Sequence, residues 1–302
     1  MEYIELNGQT PPEKTVAAIG FFDGVHKGHR ALLDSTLELA EKRGVDASVI
    51  TFDVHPRAVL QHTTYLYLTP LSARLRHFEA LGFDRAYVIR FTEEKAKLSP
   101  KTFISEYLSR LEALVCGFDF TFGARAEGTV ETLKSLPLDV IVVDERSLFG
   151  VKIGSTSIRT LVQSGQVSEA ARYLGRDYCI EGTVVHGDKQ GRILSYPTAN
   201  LETGEYLLPG RGVYATRTRV KDTWYDSMTS VGHNPTLNAK KTLSVETYLL
   251  DFEGDLYGRV MSICFVERLR DERSFSSVEA LVEAIREDEE KTRELFGRGK
   301  GI

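Results

Sequence analysis

The stretch TVAAIGFFDGVHKGHRALLDSTLELAEKRGVDASVITF, residues 15–52, decides how the first half folds. TVAAIG and DASVITF are short, nearly all-apolar runs of the kind that make strands buried on both faces. HRALLDSTLELAEKRG, between them, carries apolar residues at helical spacing. Working outward, RAYVIR (85–90), ALVCG (113–117) and LDVIVVD (138–144) repeat the strand pattern, while PLSARLRHFEALG (70–82) and SPKTFISEYLSRL (99–111) repeat the helical one, with Pro or Ser near their starts. This alternation predicts a parallel sheet with helices on both faces, and in such sheets ligands bind beyond the carboxyl ends of the strands.

The pattern changes near residue 178. YCIEGTVVHG (178–187), GVYATRTRV (212–220), TWYDSMTSVG (223–232), LSVETYLLDF (243–252) and YGRVMSICFVERL (257–269) read as strands with no helix between them. They predict a small antiparallel barrel. SSVEALVEAIREDEEKTREL (276–295) then reads as a terminal amphipathic helix capped by Ser276 or Ser277. The fold class is thus α/β plus β, with domains expected at 1–177 and 178–302.

At 302 residues, 42% hydrophobic and 27% charged, the composition is that of a globular protein of about two domains. The 38 basic and 43 acidic side chains give −5 and no polycationic half, so a nucleic-acid or membrane partner is not expected. Cys116, Cys179 and Cys264 are odd in number, far apart and lack CxxC spacing, which points to buried, inert thiols in a reducing compartment. No apolar signal core and no run of 18 apolar residues occurs. The expectation is a cytoplasmic protein, monomeric or weakly homo-oligomeric.

GFFDGVHKGHRALL (20–33) follows the first strand and opens a helix. Gly20, Gly24 and Gly28 free the backbone there, and His26 and His29, three apart, can point to one side. Exposed N–H groups and the helix dipole favour phosphate, and two imidazoles add directed donors. A satisfied turn histidine, or a zinc pair short of further ligands, are the plainer alternatives. No GxxxxGK[ST] is present. In GSTSIRTLVQSG (154–165), Ser155, Thr156 or Ser157 can cap a helix, and Arg159 one turn in could brace a polyphosphate, or simply be solvated. TFDVHPRAVL (51–60), with His55 and Pro56, and GFDFTFG (117–123) also follow strands. Asp119, Phe118, Phe120 and Phe122 could wall a flat ring, or be core.

In the second half, EGTVVHGDKQGRILSYPTANL (181–201) supplies Gly187 and Gly191 for close backbone approach, Lys189 and Arg192 for charge, and Thr198 and Asn200 as neutral oxygen ligands suited to magnesium on phosphates. A long hairpin turn is the plainer reading. Glu246 is a lone carboxylate in a strand, either a solvated face or a general base.

GFFDGVHKGH, TFDVHP, GFDFTFG and STSIR, in that order, resemble the adenylyltransferase module of prokaryotic bifunctional riboflavin kinase/FAD synthetases. SVGHNPT (230–236), SVETYLLDFEGDLYG (244–258) and the PTAN motif resemble the kinase domain of the same family. The resemblance spans almost the whole chain. It implies a Rossmann-like nucleotidyltransferase domain in which His26, His29, Ser155, Thr156 and Arg159 meet ATP phosphates, with Gly20, Phe21, Asp23, Gly24 and Gly28 around them. His55, Pro56, Asp119, Phe120, Phe122 and Gly123 would lie on the flavin side. In the barrel it implies that Gly187, Lys189, Arg192, Thr198 and Asn200 bind Mg-ATP, that Asn234 lies near flavin, and that Glu246 takes the ribityl hydroxyl proton. The implied substrates and products are riboflavin, FMN, FAD, ATP, ADP and pyrophosphate, with Mg²⁺ as cofactor. Rival readings are that only one half is active, or that the chain senses flavin without turnover. The chain departs from the family pattern where Gly154 replaces a serine, Thr121 an arginine and Ser195 a glycine, and where GTVETL (128–133) lacks the usual acidic or amide residue after Gly128.

Overall fold

The computed structural model describes residues 1–8, 10–11, 14–148, 150–187, 196–233 and 243–297. The chain forms two compact units, Met1–Ser155 and Thr156–Ile302.

The first unit runs β1 (Glu2–Leu6), β2 (Val16–Ile19), α1 (Lys27–Arg43), β3 (Ala47–Phe52), α2 (Pro56–Leu60), α3 (Leu71–Leu81), β4 (Arg85–Ile89), α4 (Pro100–Tyr107), β5 (Ala113–Gly117), α5 (Val130–Lys134) and β6 (Asp139–Val143), with a small hairpin of β7 (Ser147–Leu148) and β8 (Val151–Lys152). Its main sheet is wholly parallel, in the order β1-β4-β3-β2-β5-β6. From β2 the chain winds one way through β3 and β4, then returns to the other side for β5 and β6. The winding therefore reverses between β2 and β5, and the crevice at their carboxyl ends is where such a sheet receives ligands.

Alternation along each strand buries both faces. Val16 and Ala18 pack with Leu32 and Leu33 of α1 and Phe78 of α3, while Ala17 and Ile19 pack with Phe103 and Tyr107 of α4 and Leu133 of α5. The expected two-sided sheet is borne out. β1 was not expected, because its polar sequence EYIEL lacks the apolar run of the inner strands. It is an edge strand whose first four side chains are exposed or half-exposed.

The second unit opens with α6 (Ser155–Gln163), whose first residue closes unit one, and α7 (Val167–Leu174). β9 (Tyr178–Val185), β10 (Ala199–Glu202), β11 (Gly212–Val220), β12 (Thr223–His233), β13 (Leu243–Leu249) and β14 (Val260–Arg270) follow, and α8 (Val278–Gly297) ends the described chain. The strands close into an antiparallel barrel, ordered β10-β13-β12-β11-β14-β9, as expected. α7 lies on β9 and β14, within the second unit. α8 lies on β11 and β12. Ser277 caps it, its hydroxyl accepting the Ala280 N–H at 3.2 Å. Part of the barrel interior is polar. Thr216, Thr218, Ser227, Thr229 and Thr247 are fully buried and satisfy one another's hydroxyls at 2.8–2.9 Å, as burial requires.

One expectation is corrected. Cys179 and Cys264 are not separate thiols: they oppose each other on β9 and β14 and form a disulfide with Cα atoms 4.0 Å apart. They are separated by 85 residues in sequence, and only the antiparallel register brings them together. Cys116 is a buried free thiol, as expected, and burial pushes its pKa up to about 11.

Candidate functional site

The loop leaving β2 has an unusual backbone. Phe22 has φ 60° and Val25 has φ 41°, with Gly24 between them at 88°. Positive φ at a β-branched residue is a rare, strained conformation costing about 1–3 kcal/mol, held only where its surroundings over-determine it. Those surroundings are visible. The Gly20 N–H donates to the Ile50 carbonyl at 3.1 Å and the Val25 N–H to the Phe22 carbonyl at 3.1 Å. The Thr69 N–H donates to Asp23 Oδ1 at 3.0 Å, and Ser155 Oγ donates to the Asp23 carbonyl at 2.8 Å. Arg74 and Thr51 both donate to the Phe21 carbonyl, at 2.6 and 3.2 Å.

The strained loop delivers His26 as the N-cap of α1. His26 Nδ1 accepts the His29 N–H at 3.2 Å, so the proton of the neutral ring sits on Nε2. The two imidazoles stack with centroids 3.6 Å apart and planes 17° apart. A Cβ on Gly28 would stand 3.2 Å from His26 Nδ1 and Cε1, so glycine there leaves the ring its place. Stacked imidazoles and a helix N-terminus at a sheet crevice form a set of donors matched to phosphoryl oxygens.

His55 repeats the device. It is the N-cap of α2, its Nδ1 accepting the Arg57 N–H at 3.1 Å, with Pro56 in the first turn. Its ring stacks on Tyr65 at 4.2 Å and meets Phe21 edge-on at 4.8 Å; Tyr67 stacks on Phe21 at 6.0 Å. Sequence reading missed Tyr65 and Tyr67; the spaced aromatics in TYLY (64–67) were their only signal. In GFDFTFG, Phe122 packs into the core against Phe103, while Phe120 is half-buried and Phe118 is 41% exposed. Asp119 is exposed and pairs with Lys152 at 2.9 Å, and that ammonium lies over the Phe118 ring. Gly123, at φ 73°, is backed against Pro100. Thr156 and Arg159 lie on α6, with Arg159 four residues on from Ser155.

The barrel gathers a second set. Asn200 on β10 and Glu246 on β13 are directly opposed and so share a face, and Thr198, two residues before Asn200, shares it too. Thr198 Oγ1 donates to Glu246 Oε2 at 3.4 Å. Gly187 comes so close that a Cβ there would meet Asn200 Nδ2 at 2.2 Å. Lys189, Gly191, Arg192, Ser195 and Asn234 lie outside the described residues. Among the described residues no cluster of three His, Cys, Asp or Glu could hold a metal ion. The oxygens of Thr198, Asn200 and Glu246 suit a hard cation that brings most of its ligands with it, as magnesium on nucleotide phosphates does.

Comparison with known proteins separates the same two regions. The FAD synthetase family model matches residues 8–157 and the riboflavin kinase model residues 174–296. The bifunctional riboflavin kinase/FMN adenylyltransferase of Listeria monocytogenes is 40% identical over 291 residues, 94% of this chain and 93% of that protein. This chain belongs to the bifunctional riboflavin kinase/FMN adenylyltransferase family. Members from Bacillus subtilis and Escherichia coli are 37% and 34% identical, covering 94% and 97% of this chain and 93% and 96% of theirs. A crystal structure described as a macrolide-efflux protein from Streptococcus pneumoniae shares 33% identity at a TM-score of 0.89, over 97% of this chain and 99% of that one. In the present chain no helix among the described residues is long and apolar enough to cross a membrane. The family chain thus carries both a riboflavin kinase and an FAD synthetase domain, as the motifs implied, and the reading of a single active half has no support in these matches.

Proposed function

We propose that the barrel transfers the γ-phosphoryl group of ATP to the ribityl hydroxyl of riboflavin, giving FMN and ADP. The sheet domain then joins FMN to the adenylyl group of a second ATP, giving FAD and pyrophosphate. The working division is 1–177 for adenylylation and 178–302 for phosphorylation. What carries this reading is that the turn from β2 into α1 brings His26 and His29 together, while the barrel separately brings Thr198, Asn200 and Glu246 together.

In the first reaction Glu246 accepts the hydroxyl proton as the oxygen attacks phosphorus, and Thr198 keeps the carboxylate turned toward the Asn200 face. Thr198 and Asn200 would hold magnesium brought by ATP, which would supply charge neutralisation at the phosphates. Gly187, Lys189 and Arg192 line the nucleotide, and Asn234 the flavin. In the second, an FMN phosphate oxygen attacks the α-phosphorus and pyrophosphate leaves, with no covalent enzyme intermediate. His26 and His29 donate to phosphoryl oxygens as charge shifts toward the leaving group, and Ser155, Thr156 and Arg159 serve the same polyphosphate. Such transfers depend on positioning and charge stabilisation more than on reactive side chains. His55, Pro56, Asp119, Phe120 and Gly123 form the flavin side, together with Tyr65. A cytoplasmic setting, where ATP is supplied, fits both steps.

The test is a time course with riboflavin, ATP and Mg²⁺, the flavins separated by chromatography. FMN rising first and FAD following is expected. FMN alone would silence the sheet domain and implicate Thr121 and Gly154; FAD from added FMN only would silence the barrel and implicate Ser195.

A further inference from the structure

Arg74 is among the largest fully buried side chains of the protein, at 0% exposure. It reaches from the first turn of α3 to the carboxyl ends of β2 and β3. Nη1 donates to the Phe21 carbonyl at 2.6 Å and to Thr51 Oγ1 at 2.9 Å, and Nη2 donates to the Phe52 carbonyl at 3.0 Å and the Asp53 carbonyl at 3.4 Å. The guanidinium also lies over the Phe21 ring, 4.3 Å from its centroid. One planar group thereby ties together the GFFDGVH loop and the start of the DVHP loop, the two segments that lead to His26 and His55. Burying a charge is expensive unless it is hydrogen-bonded, and the acceptors that Nη1 and Nη2 find are groups of these two segments. The strained residue Phe22 directly follows the carbonyl that Arg74 grips.

We propose that Arg74 is a positioning residue for adenylyl transfer: it fixes the Phe21 carbonyl, so that the strained turn through Phe22 and Val25 sets His26 and His29 in their stacked, capping arrangement. The inference rests on the assignment of that reaction to the sheet domain. Arg74 touches no substrate in this role. It acts through the loop, and its fork geometry matters because a lysine ammonium cannot bond both segments in the same planar way.

The test uses the full chain carrying Arg74→Met, Arg74→Lys or Thr51→Val, with FMN formation from riboflavin as the control for an intact barrel and the circular-dichroism melt as the control for folding. The readout is kcat and KM for ATP in FAD formation from supplied FMN. Arg74→Met is expected to lower kcat by about 10- to 100-fold, the scale of a small misplacement of catalytic groups, with KM changed much less. Arg74→Lys should recover part of the loss. A folded Arg74→Met chain with wild-type kcat overturns the proposal, as does a Met variant whose loss Lys does not relieve at all. If Arg74→Met fails to fold, Thr51→Val decides: it removes one tether from both Arg74 and the Phe21 carbonyl, and an unchanged kcat overturns the proposal. Wild-type protein that makes no FAD from FMN would overturn the functional assignment itself, whatever the variants do.

Discussion

At Gly187 a single hydrogen atom keeps Asn200 in place, because any side chain there would overlap the amide. Gly187→Ala should therefore lower FMN formation about tenfold or more, by misplacing a nucleotide-side group, while FAD formation from supplied FMN is unchanged; separate assays of the two steps check this. Gly154 is the opposite case. A Cβ there meets nothing within 4 Å, so Gly154→Ser, which restores the family residue, should leave the melting temperature unchanged and FAD formation at or above the wild-type rate. The histidine pair was legible because HKGH puts two rings on one side of a helix start. Arg74 was not. In SARLRHF it is two residues from Arg76 and chemically identical to it, yet Arg76 is exposed and Arg74 is wholly buried. GFDFTFG has a related limit: an alternating aromatic motif does not say which ring turns inward.

Elements were legible where their period was strong, and the polar edge strand β1 was not. The inner strands and the three long helices of the sheet follow from apolar spacing, whereas β1 has no such pattern and is held by its parallel register with β4. The terminal helix was expected, but its anchor was invisible: Asp288 of α8 is 2% exposed and accepts the Arg270 Nε–H of β14 at both carboxylate oxygens, 2.9 and 3.1 Å away. Burial raises the Asp288 pKa more than Arg270 lowers it, so the pair locates the helix at some energetic cost. Asp288→Ala should destabilise the barrel by about 3–5 kcal/mol by leaving the arginine unpaired, and pairing Arg270→Met with Asp288→Leu should recover most of it; denaturant melts compare the two. The disulfide is also a property of paired elements. Alkylation of denatured, unreduced protein should label one cysteine, Cys116, and prior reduction should expose three. In the native state Cys116 should resist alkylation at pH 8, far below the pH near 11 at which its thiol ionises.

For the whole molecule, the two activities should separate cleanly by mutation. His26→Ala should lower FAD formation by about 10²–10³-fold through lost electrostatic stabilisation and leave FMN formation intact. Glu246→Ala should lower FMN formation by about 10²–10⁴-fold, and FAD should then appear only from supplied FMN. Mixing the two variants with riboflavin and ATP should restore FAD, since FMN released by one chain can be used by the other; chromatography of the mixture is the check. The two units also differ in what they offer to other chains. The closed barrel leaves no backbone edge, while the sheet ends in β1, whose Glu2 and Glu5 discourage strand addition. β1 lies outside the residues matched by the FAD synthetase model. A chain trimmed to the matched boundary would uncover β4, RAYVI, whose last four side chains are buried, as a bare adhesive border, and so would trade an enzyme for a precipitate.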